Sequence, residues 1–476
     1  MAGDKPLTIG GFAALVKEML PYTPNAQQSK LIDALARFCA GYDETGRVFV
    51  VNGYAGTGKT SVTGALVKAL TSVGRPVVLM APTGRAAKVF SVHAGHAAST
   101  IHRKIYRGAS GDLTAANRFL QHNELSDAVY IVDEASMIGN GSDGGTDLLG
   151  DLLEYVFTPD NNRLILLGDV AQLPPVGATQ SPAMVADAYK ERGLKVSRAT
   201  LTDTVRQGRE SGILYNATWL RRAMLVDPLP RPRLRTEGFD DVSVTDGNDV
   251  VDVVADCYRR DGAAETIVVT RSNRRATAFN LGIRERILDL NEELCKGERL
   301  LVAKNNYTWG AKVKGLDFIA NGDVAEVRAI HATEYRYGFR FAIVTLWLPD
   351  RDVEVKARIF LNTLTDDNAS VPREQMQALA EARMADPEVN RPDDPFERRL
   401  RRLRTDEYFN ALQVKYAYAV TCHKAQGAQW KNVIVDLGGI PPEAQEMDFY
   451  RWLYTAVSRA TTHLWLLNPG EMAGEN

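Results

Sequence analysis

The stretch VFVVNGYAGTGKT, residues 48–60, decides the fold of this chain. Its apolar half predicts a buried parallel strand, and the glycines that follow predict a phosphate-binding loop that runs into a helix. Gly53, Gly56 and Gly58 allow backbone N–H groups to close around phosphate oxygens, and the next helix presents the positive end of its dipole to them. These features indicate a site for a phosphorylated ligand.

Two side chains at the end of this stretch indicate a nucleoside triphosphate with Mg²⁺. Lys59 is placed to reach the β- and γ-phosphates, and the Thr60 hydroxyl to bind the metal. Val62, Leu66 and Leu70 recur at helical spacing, so the helix that the motif requires is supported by its own sequence. A chance glycine-rich turn is the alternative, but it explains neither the strand nor the helix. We therefore expect the protein to bind and hydrolyse a nucleoside triphosphate.

Composition narrows the class of protein. The 476 residues are too many for one ordinary core, and 45% of them are hydrophobic and 24% charged, as in globular proteins. No apolar run approaches the roughly 20 residues of a membrane-spanning helix, and the N-terminus lacks the layout of a signal peptide. We therefore expect a cytoplasmic protein with no membrane partner. The four cysteines form no Cys-x-x-Cys pair, which argues against zinc and iron–sulfur sites, and the net charge of −2 neither indicates nor excludes nucleic acid.

Acidic and amide side chains follow two further predicted strands. Asp133 and Glu134 come directly after the apolar run 128–132, and Gln172 follows the run 164–167. Open α/β sheets bind ligands at the carboxyl ends of their strands. We expect Asp133 to hold the Mg²⁺ shell, Glu134 to orient the attacking water and Gln172 to sense the γ-phosphate. An ordinary acidic turn at a strand end is the alternative for the carboxylate pair.

The order of apolar runs predicts an α/β fold with two parallel-sheet domains. The first domain is expected to span residues 1–204, with a small insertion at about 104–126. The second is expected to consist of residues 205–296 and 408–476. Between these two parts, residues 297–407 contain short β-like runs and turns, which indicate a small barrel with a charged helical extension. The basic helix of this extension is either a solvated face or a surface that follows phosphates.

The order of these motifs resembles that of superfamily 1 helicases, and the details resemble its 5′-to-3′ branch, superfamily 1B, which includes RecD and phage Dda. The resemblance covers residues 22–467. It rests on motif I at residues 53–60, Ia at 81–88, Ib at 100–102, II at 133–134, III at 168–176, IV at 205–207, V at 420–427 and VI at 454–460. Each motif alone is moderate support, whereas all of them in this order are very specific.

The resemblance implies a fold and assigns roles in a nucleotide site. It implies two RecA-like parallel-sheet domains that share one ATP, a small β-hairpin-type insertion in the first domain and an SH3-like β-rich insertion in the second. Gln28, which alone would be a solvated amide, is expected to read adenine. Arg206 and Arg459, which alone would be surface ion pairs, are expected to be arginine fingers that reach the γ-phosphate. Ser61 and Gly427 complete the expected nucleotide contacts.

The resemblance also implies a nucleic-acid partner. Six residues match the family's contacts to a single strand, and these are Thr83, Thr100, His102, Thr421, His423 and Lys424. Contacts of this kind are made mostly to phosphates, so they are blind to sequence and sensitive to salt. The expected partners are single-stranded DNA and duplex junctions, RNA stays open, and the protein is expected to act as a monomer.

Three functions fit these observations. The first is an ATP-dependent DNA helicase that moves 5′ to 3′. The second is a strand-stimulated ATPase that translocates without productive unwinding, and the third is a nucleotide-gated DNA-binding subunit of a larger repair complex. The chain departs from the family pattern in two places. The insertion before motif II is short and has no obvious apolar tip, which leaves open how duplex is split, and the charged stretch 363–407 has no clear counterpart in the family.

Overall fold

The first domain is built on a parallel sheet of six strands in the order β3-β2-β6-β7-β1-β8. The structure, a computed structural model, describes residues 8–40, 47–108, 118–139, 147–203, 211–313, 316, 318–392, 394–439 and 446–474. The strands of the first domain, with two that form a hairpin, are β1 (Val48–Gly53), β2 (Val77–Ala81), β3 (Ala98–Thr100), β4 (Tyr106–Gly108), β5 (Arg118–Leu120), β6 (Val129–Val132), β7 (Arg163–Gly168) and β8 (Val196–Leu201). Its helices are α1 (Ile9–Glu18), α2 (Ala26–Cys39), α3 (Lys59–Ser72), α4 (Gly84–Ala94), α5 (Ile101–Ile105), α6 (Leu148–Phe157) and α7 (Asp187–Lys190).

Helices cover both faces of this sheet, which explains its continuous apolar strands. Every residue of β1, β6 and β7 is buried. Along β1, Phe49 and Val51 pack with α1, α2 and α3, whereas Val48 and Val50 pack with α5 and α6 on the other face. Because helices cover both faces of this parallel sheet, its strands form a rigid platform for the loops at their carboxyl ends.

The small insertion in the first domain is a hairpin, as predicted. β4 and β5 pair antiparallel, with Tyr106 opposite Leu120. The residues between 108 and 118, where the expected hairpin tip falls, lie outside the described part of the chain.

The second domain is a parallel sheet of five strands in the order β16-β10-β17-β18-β9. Its first part contains α8 (Gly212–Ala223), β9 (Val242–Thr245), α9 (Val250–Asp261), β10 (Thr266–Thr270) and α10 (Asn273–Arg286). After the barrel the sheet resumes with β16 (Ala419–Thr421), α14 (Cys422–Ala425), β17 (Trp430–Asp436), α15 (Met447–Val457) and β18 (Ala460–Leu467). Two parallel-sheet domains with a hairpin in the first and a β-rich insertion in the second confirm the predicted fold class.

The inserted unit is a closed barrel of five strands. They are β11 (Arg299–Val302), β12 (Val324–Arg336), β13 (Phe339–Leu348), β14 (Val353–Phe360) and β15 (Leu412–Tyr416). Alternate residues of β13, Ala342, Val344 and Leu346, fill its interior. Strand β15 closes the barrel by pairing with both β11 and β14, although the sequence placed residues after 407 in the second parallel-sheet domain. Closure leaves no exposed edge, which explains why this distant segment joins the barrel.

The charged extension is a helical layer on the barrel. It contains α11 (Asn362–Thr365), α12 (Arg373–Ala385) and α13 (Phe396–Arg404). The buried guanidinium of Arg383 in α12 lies 2.5 Å from Asp406 and 3.0 Å from Glu388. The same guanidinium lies over the rings of Tyr337 and Tyr408, 5.1 and 5.0 Å from their centroids. No helix within the described ranges is both long and apolar enough to cross a membrane.

Candidate nucleotide site and strand cleft

The phosphate-binding loop joins β1 to α3, as the sequence predicts. Gly56 and Gly58 have φ values of +74° and +77°, which side chains other than glycine rarely adopt. Helix α3 begins at Lys59, so Thr60 and Ser61 lie in its first turn. The Lys59 amine donates to the carbonyl of Gly53 at 3.0 Å and to that of Gly168 at 3.2 Å. The lysine is therefore held over the loop by the carboxyl ends of two neighbouring strands.

The carboxylate pair lies at the end of β6, and β7 separates this strand from β1 in the sheet. Glu134 has φ 53° and ψ 36°, a left-handed conformation that costs a residue with a side chain about 1 kcal/mol or more. Its Oε2 atom is buried, and no hydrogen-bond partner is described for it. Strain and an unpaired buried oxygen together are typical of functional positions.

The electrostatics of Asp133 fit a site that receives a cation. Desolvation, with a further contribution from the charge of Glu134, raises the pKa of Asp133 to about 6, while Lys59 opposes the rise. One of its oxygens accepts the Glu134 N–H at 2.9 Å. Gln172, after β7, also has a buried side-chain oxygen, Oε1, for which the described residues offer no donor. The residues that the sequence assigned to metal and water thus converge beside Lys59.

Gln28 is buried rather than solvated, and its amide is bonded to the phosphate-binding loop. It occupies the third position of α2, where it forms a reciprocal capping pair with Asn25. Its Nε2 donates to the Thr57 carbonyl at 3.1 Å and to the Tyr22 hydroxyl at 3.3 Å. The structure therefore fixes Gln28 against the loop; its contact with adenine stays a prediction.

The second domain contacts the nucleotide site directly through α15 and the loop after β16. The Tyr454 hydroxyl accepts the Ala55 N–H of the phosphate-binding loop at 2.9 Å and donates to the Asp169 carboxylate at 2.6 Å. Thr455 accepts the N–H of Leu173 at 2.9 Å, and Gln426 donates to the carbonyl of the same residue at 2.7 Å. Motif III is thus bonded to the second domain at two places.

Of the two predicted arginine fingers, Arg459 alone belongs to the described part of the chain. Arg206 lies outside the described residues. The guanidinium of Arg459 is buried and donates to the carbonyls of Thr455 and Ala428 and to the Ser458 hydroxyl, at 2.9, 3.2 and 3.0 Å. All three acceptors belong to the second domain. In this conformation the described hydrogen bonds of the Arg459 guanidinium therefore lie within the second domain. Its role as an arginine finger stays a prediction.

Five of the six predicted strand contacts line one cleft of about 410 Å³. The first domain contributes Thr83, Thr100 and His102, and the second contributes His423 and Lys424. Loops of the barrel, with Asn305 and residues 320–322, form a further wall. Gly427, which the sequence assigned to the nucleotide, lies between the domains beside this cleft, where a Cβ atom would come 3.1 Å from Ala86 and 3.5 Å from Thr83.

The threonines at the cleft share one geometry. Thr83 accepts the Ala86 N–H at 3.2 Å and caps α4, while Thr100 accepts the Arg103 N–H at 3.2 Å and caps α5. A hydroxyl that accepts in this way can still donate its proton to a phosphate oxygen. Thr421 is the N-cap residue of α14, but its side chain makes no capping hydrogen bond and it is not among the residues that line the cleft. The hydroxyls of Thr83 and Thr100 are therefore available to donate to a ligand in the cleft.

The protonation state of the Lys424 amine is sensitive to pH in the range near 8. Desolvation lowers the pKa of its amine to about 8. The amine donates to the Ala303 carbonyl at 3.4 Å and is also bonded to Asn321, both in the barrel segment. Lys424 thus connects the second domain to the barrel residues that form a wall of the cleft.

Sequence reasoning assigned no role to Tyr454, Gln426, Thr455 and Asp169. Each lies within a quoted motif, so the motif was a signal that its segment matters. The individual roles depend on contacts across the chain, since Tyr454 and Ala55 are 399 residues apart. Burial raises the pKa of Asp169, while Lys59 and the Tyr454 hydroxyl oppose that rise. No local sequence pattern predicts the contacts of Tyr454 with Ala55 and Asp169.

Comparisons with known proteins agree with the motif order. The family model described as an AAA domain matches residues 23–224, and the model described as the UvrD-like helicase C-terminal domain matches residues 416–467. Together the two models cover just over half of the chain.

Two curated relatives and one solved structure illustrate the likeness. The ATP-dependent RecD2 DNA helicase of Deinococcus radiodurans is 34% identical over 194 residues, which is 40% of this chain and 23% of the relative. The ATP-dependent DNA helicase Dda of phage T4 is 25% identical over 270 residues, 53% of this chain and 55% of the relative. A Bacteroides Pif1 helicase crystal structure with ADP-AlF3 and single-stranded DNA aligns over 94% of this chain and 92% of that one, with 18% identity and a TM-score of 0.47.

The matched part of the chain spans well under two thirds of either curated relative. Its motifs nevertheless occur in the family's order, and its two parallel-sheet domains carry the hairpin and the barrel in the expected places. The two family models and the curated relatives therefore support superfamily 1B, the helicase family that the motif order indicated.

Proposed function

We propose that this protein is an ATP-dependent DNA helicase that moves 5′ to 3′ along a single strand and unwinds duplex. One observation carries the proposal: a single segment, residues 168–176, joins the nucleotide site to the strand cleft. At its start, the Gly168 carbonyl accepts from Lys59. At its end, Pro175 and Val176 line the cleft that also contains Thr83 and Lys424. A change at the γ-phosphate can therefore alter the grip on a strand. The direction of movement rests on the family alone.

ATP with Mg²⁺ is the proposed cofactor pair. The donor set fits, because Mg²⁺ prefers oxygen ligands and is usually held by one or two protein groups together with substrate phosphates. Thr60 and Asp133 would hold the ion, and the unpaired buried oxygen of Glu134 lies where a water could be oriented. The metal, when bound, would neutralise charge that develops on the phosphates.

The chain's own residues would carry the hydrolysis as follows. Lys59 contacts the β- and γ-phosphates, and Glu134 accepts the proton of the attacking water. Gln172 senses the γ-phosphate. Arg459 would exchange its three bonds within the second domain for the γ-phosphate as the cleft closes, with Arg206 as the second finger. An arginine in this role contributes about 10³ to 10⁵ in rate.

The strand would lie along the cleft between the two domains and the barrel. Hydroxyls of Thr83, Thr100 and Thr421 would donate to phosphates, and His102, His423 and Lys424 would add polar or charged contacts. Such contacts do not read bases, so a binding preference for one sequence is not expected. Single-stranded DNA and duplex junctions are the proposed partners, with RNA tails as the comparison.

The test is unwinding of paired duplexes that carry a single-stranded tail at either the 5′ or the 3′ end. We expect ATP-dependent unwinding of the 5′-tailed DNA duplex and little of the 3′-tailed one. Strand-stimulated hydrolysis without unwinding would identify a translocase instead, and slow hydrolysis that requires a second protein would identify a subunit of a larger complex. Preferential unwinding of the 3′-tailed duplex would refute the proposed direction.

A further inference from the structure

We propose that Tyr454 is a positioning residue that ties the phosphate-binding loop to the second domain and thereby makes hydrolysis depend on a bound strand. This inference rests on the proposed function and assigns a specific coupling residue to it. Tyr454 lies in α15, with a side chain only 1% exposed. Its hydroxyl group is therefore available only to the groups that surround it at the domain interface.

The Tyr454 hydroxyl bonds to both strand ends that hold Lys59. It accepts from Ala55, two residues after the Gly53 carbonyl that Lys59 contacts. It donates to Asp169, the neighbour of the Gly168 carbonyl that Lys59 also contacts. One phenol thus fixes the spacing between β1 and β7 at the point where the lysine must meet the phosphates.

The same helix is connected to the strand cleft. Thr455, the next residue, accepts from the Leu173 N–H, and Gln426 donates to the Leu173 carbonyl. Gln426 follows Lys424 by two residues, and both line the cleft. The thiol of Cys422 in α14 additionally lies 3.5 Å from the Trp452 carbonyl of α15. A strand that shifts the Lys424 loop would therefore shift α15 and its phenol.

Loss of the hydroxyl would leave two polar groups without their partner. Asp169 is completely buried, and its other described donor is the Ala171 N–H at 3.0 Å on the second carboxylate oxygen. A hydrogen bond to a charged group is stronger than a neutral one, and a buried group that loses its partner pays the cost of desolvation. The Ala55 N–H would also lose its acceptor, so the loop would keep its packing against the second domain, including the Arg221–Tyr54 contact, but would lose this hydrogen bond to it.

The matched pair of variants is Tyr454→Phe and Tyr450→Phe, made in the full chain. Tyr450 lies one turn earlier on α15, is equally buried and bonds through its hydroxyl to Pro230, on the same side of the domain interface. Both changes remove one buried hydroxyl from one helix. Only Tyr454→Phe removes a bond between the domains.

ATP hydrolysis is measured with and without single-stranded DNA. For Tyr454→Phe we expect kcat with the strand to fall about tenfold or more, while KM for ATP and the Kd for the strand change less than about threefold. Tyr450→Phe should keep the wild-type kcat. Asp169→Asn should reduce the same kcat, and the double variant should lose less than the product of the two single losses, because both act through one bond.

A wild-type kcat in Tyr454→Phe would overturn the inference, as would an equal loss in Tyr450→Phe or strictly multiplicative losses in the double variant. These outcomes differ from failure of the proposed function, in which the wild-type protein itself would show no strand-stimulated hydrolysis. If Tyr454→Phe does not fold, as judged by circular dichroism, the comparison of Asp169→Asn with the wild type decides the question: an unchanged strand-stimulated kcat there would refute the coupling.

Discussion

Replacing Glu134 with glutamine changes one charge at the centre of the proposed hydrolytic site. The two side chains have nearly the same shape, so the left-handed backbone at φ 53° is expected to persist. The buried Oε2 atom, for which no partner is described, becomes part of an amide that cannot accept a proton from water. The substitution thus removes the chemistry and leaves the packing.

The size of the effect follows from this role. Positioned general bases contribute about 10² to 10⁴ in rate, so turnover with a saturating strand should fall by at least about 100-fold. Binding should survive, because the phosphate-binding loop and Lys59 are untouched. The charge of Glu134 also helps to raise the pKa of Asp133 to about 6. Without that charge the pKa of Asp133 should fall, and Asp133 should stay ionised at lower pH.

The assay has two parts, steady-state hydrolysis and Mg-nucleotide affinity as a function of pH. In the wild type, affinity should weaken as the pH falls through about 6, because a protonated Asp133 cannot hold the metal. In Glu134→Gln this weakening should begin at a lower pH. Glu124→Gln, an exposed change in the same domain, is the control and should match the wild type. Turnover within tenfold of the wild type in Glu134→Gln would refute the assignment of the base.

Three further substitutions test the other parts of the site. Lys59→Ala should abolish measurable hydrolysis and leave strand affinity within about threefold, whereas Lys68→Ala, an exposed change on the same helix, should leave both at wild-type values. Normal turnover in Lys59→Ala would remove Lys59 from the site. Arg459→Ala should lower kcat by about 10³ or more with a small change in nucleotide Kd, and an unchanged rate would remove its role as a finger. Strand affinity of the wild type should weaken as the pH rises through about 8, where Lys424 loses its proton. Lys424→Arg should abolish that pH dependence, and its persistence would show that another group titrates.

Much of the fold could be predicted because its central strands are continuous apolar runs. β1, β6 and β7 are fully buried, so their sequences report their environment directly. The edge strand β8, Val196–Leu201, is half exposed and mixes serine, arginine and threonine with apolar residues, so periodicity does not identify it. The assignment of strand β15 to the barrel could not be predicted for a different reason. This strand pairs with β14 across some fifty residues that include three helices, and no local pattern encodes such a pairing.

The candidate site likewise has a part that could be predicted from the sequence and a part that could not. Lys59, Thr60, Asp133 and Glu134 follow strands whose carboxyl ends meet at one edge of a sheet, so their convergence was predictable from topology. The contacts of Tyr454 with Ala55 and Asp169 depend on how two separate domains pack, and that packing is not visible in any local motif.

The most direct test of the account compares the rate of ATP hydrolysis by the wild-type protein with and without single-stranded DNA, at fixed salt. If one ATP lies between the two parallel-sheet domains and the strand crosses the same interface, saturating DNA should raise kcat by at least about tenfold. The increase should also diminish with added salt, as expected for phosphate contacts. A hydrolysis rate that is the same with and without the strand would contradict the central claim.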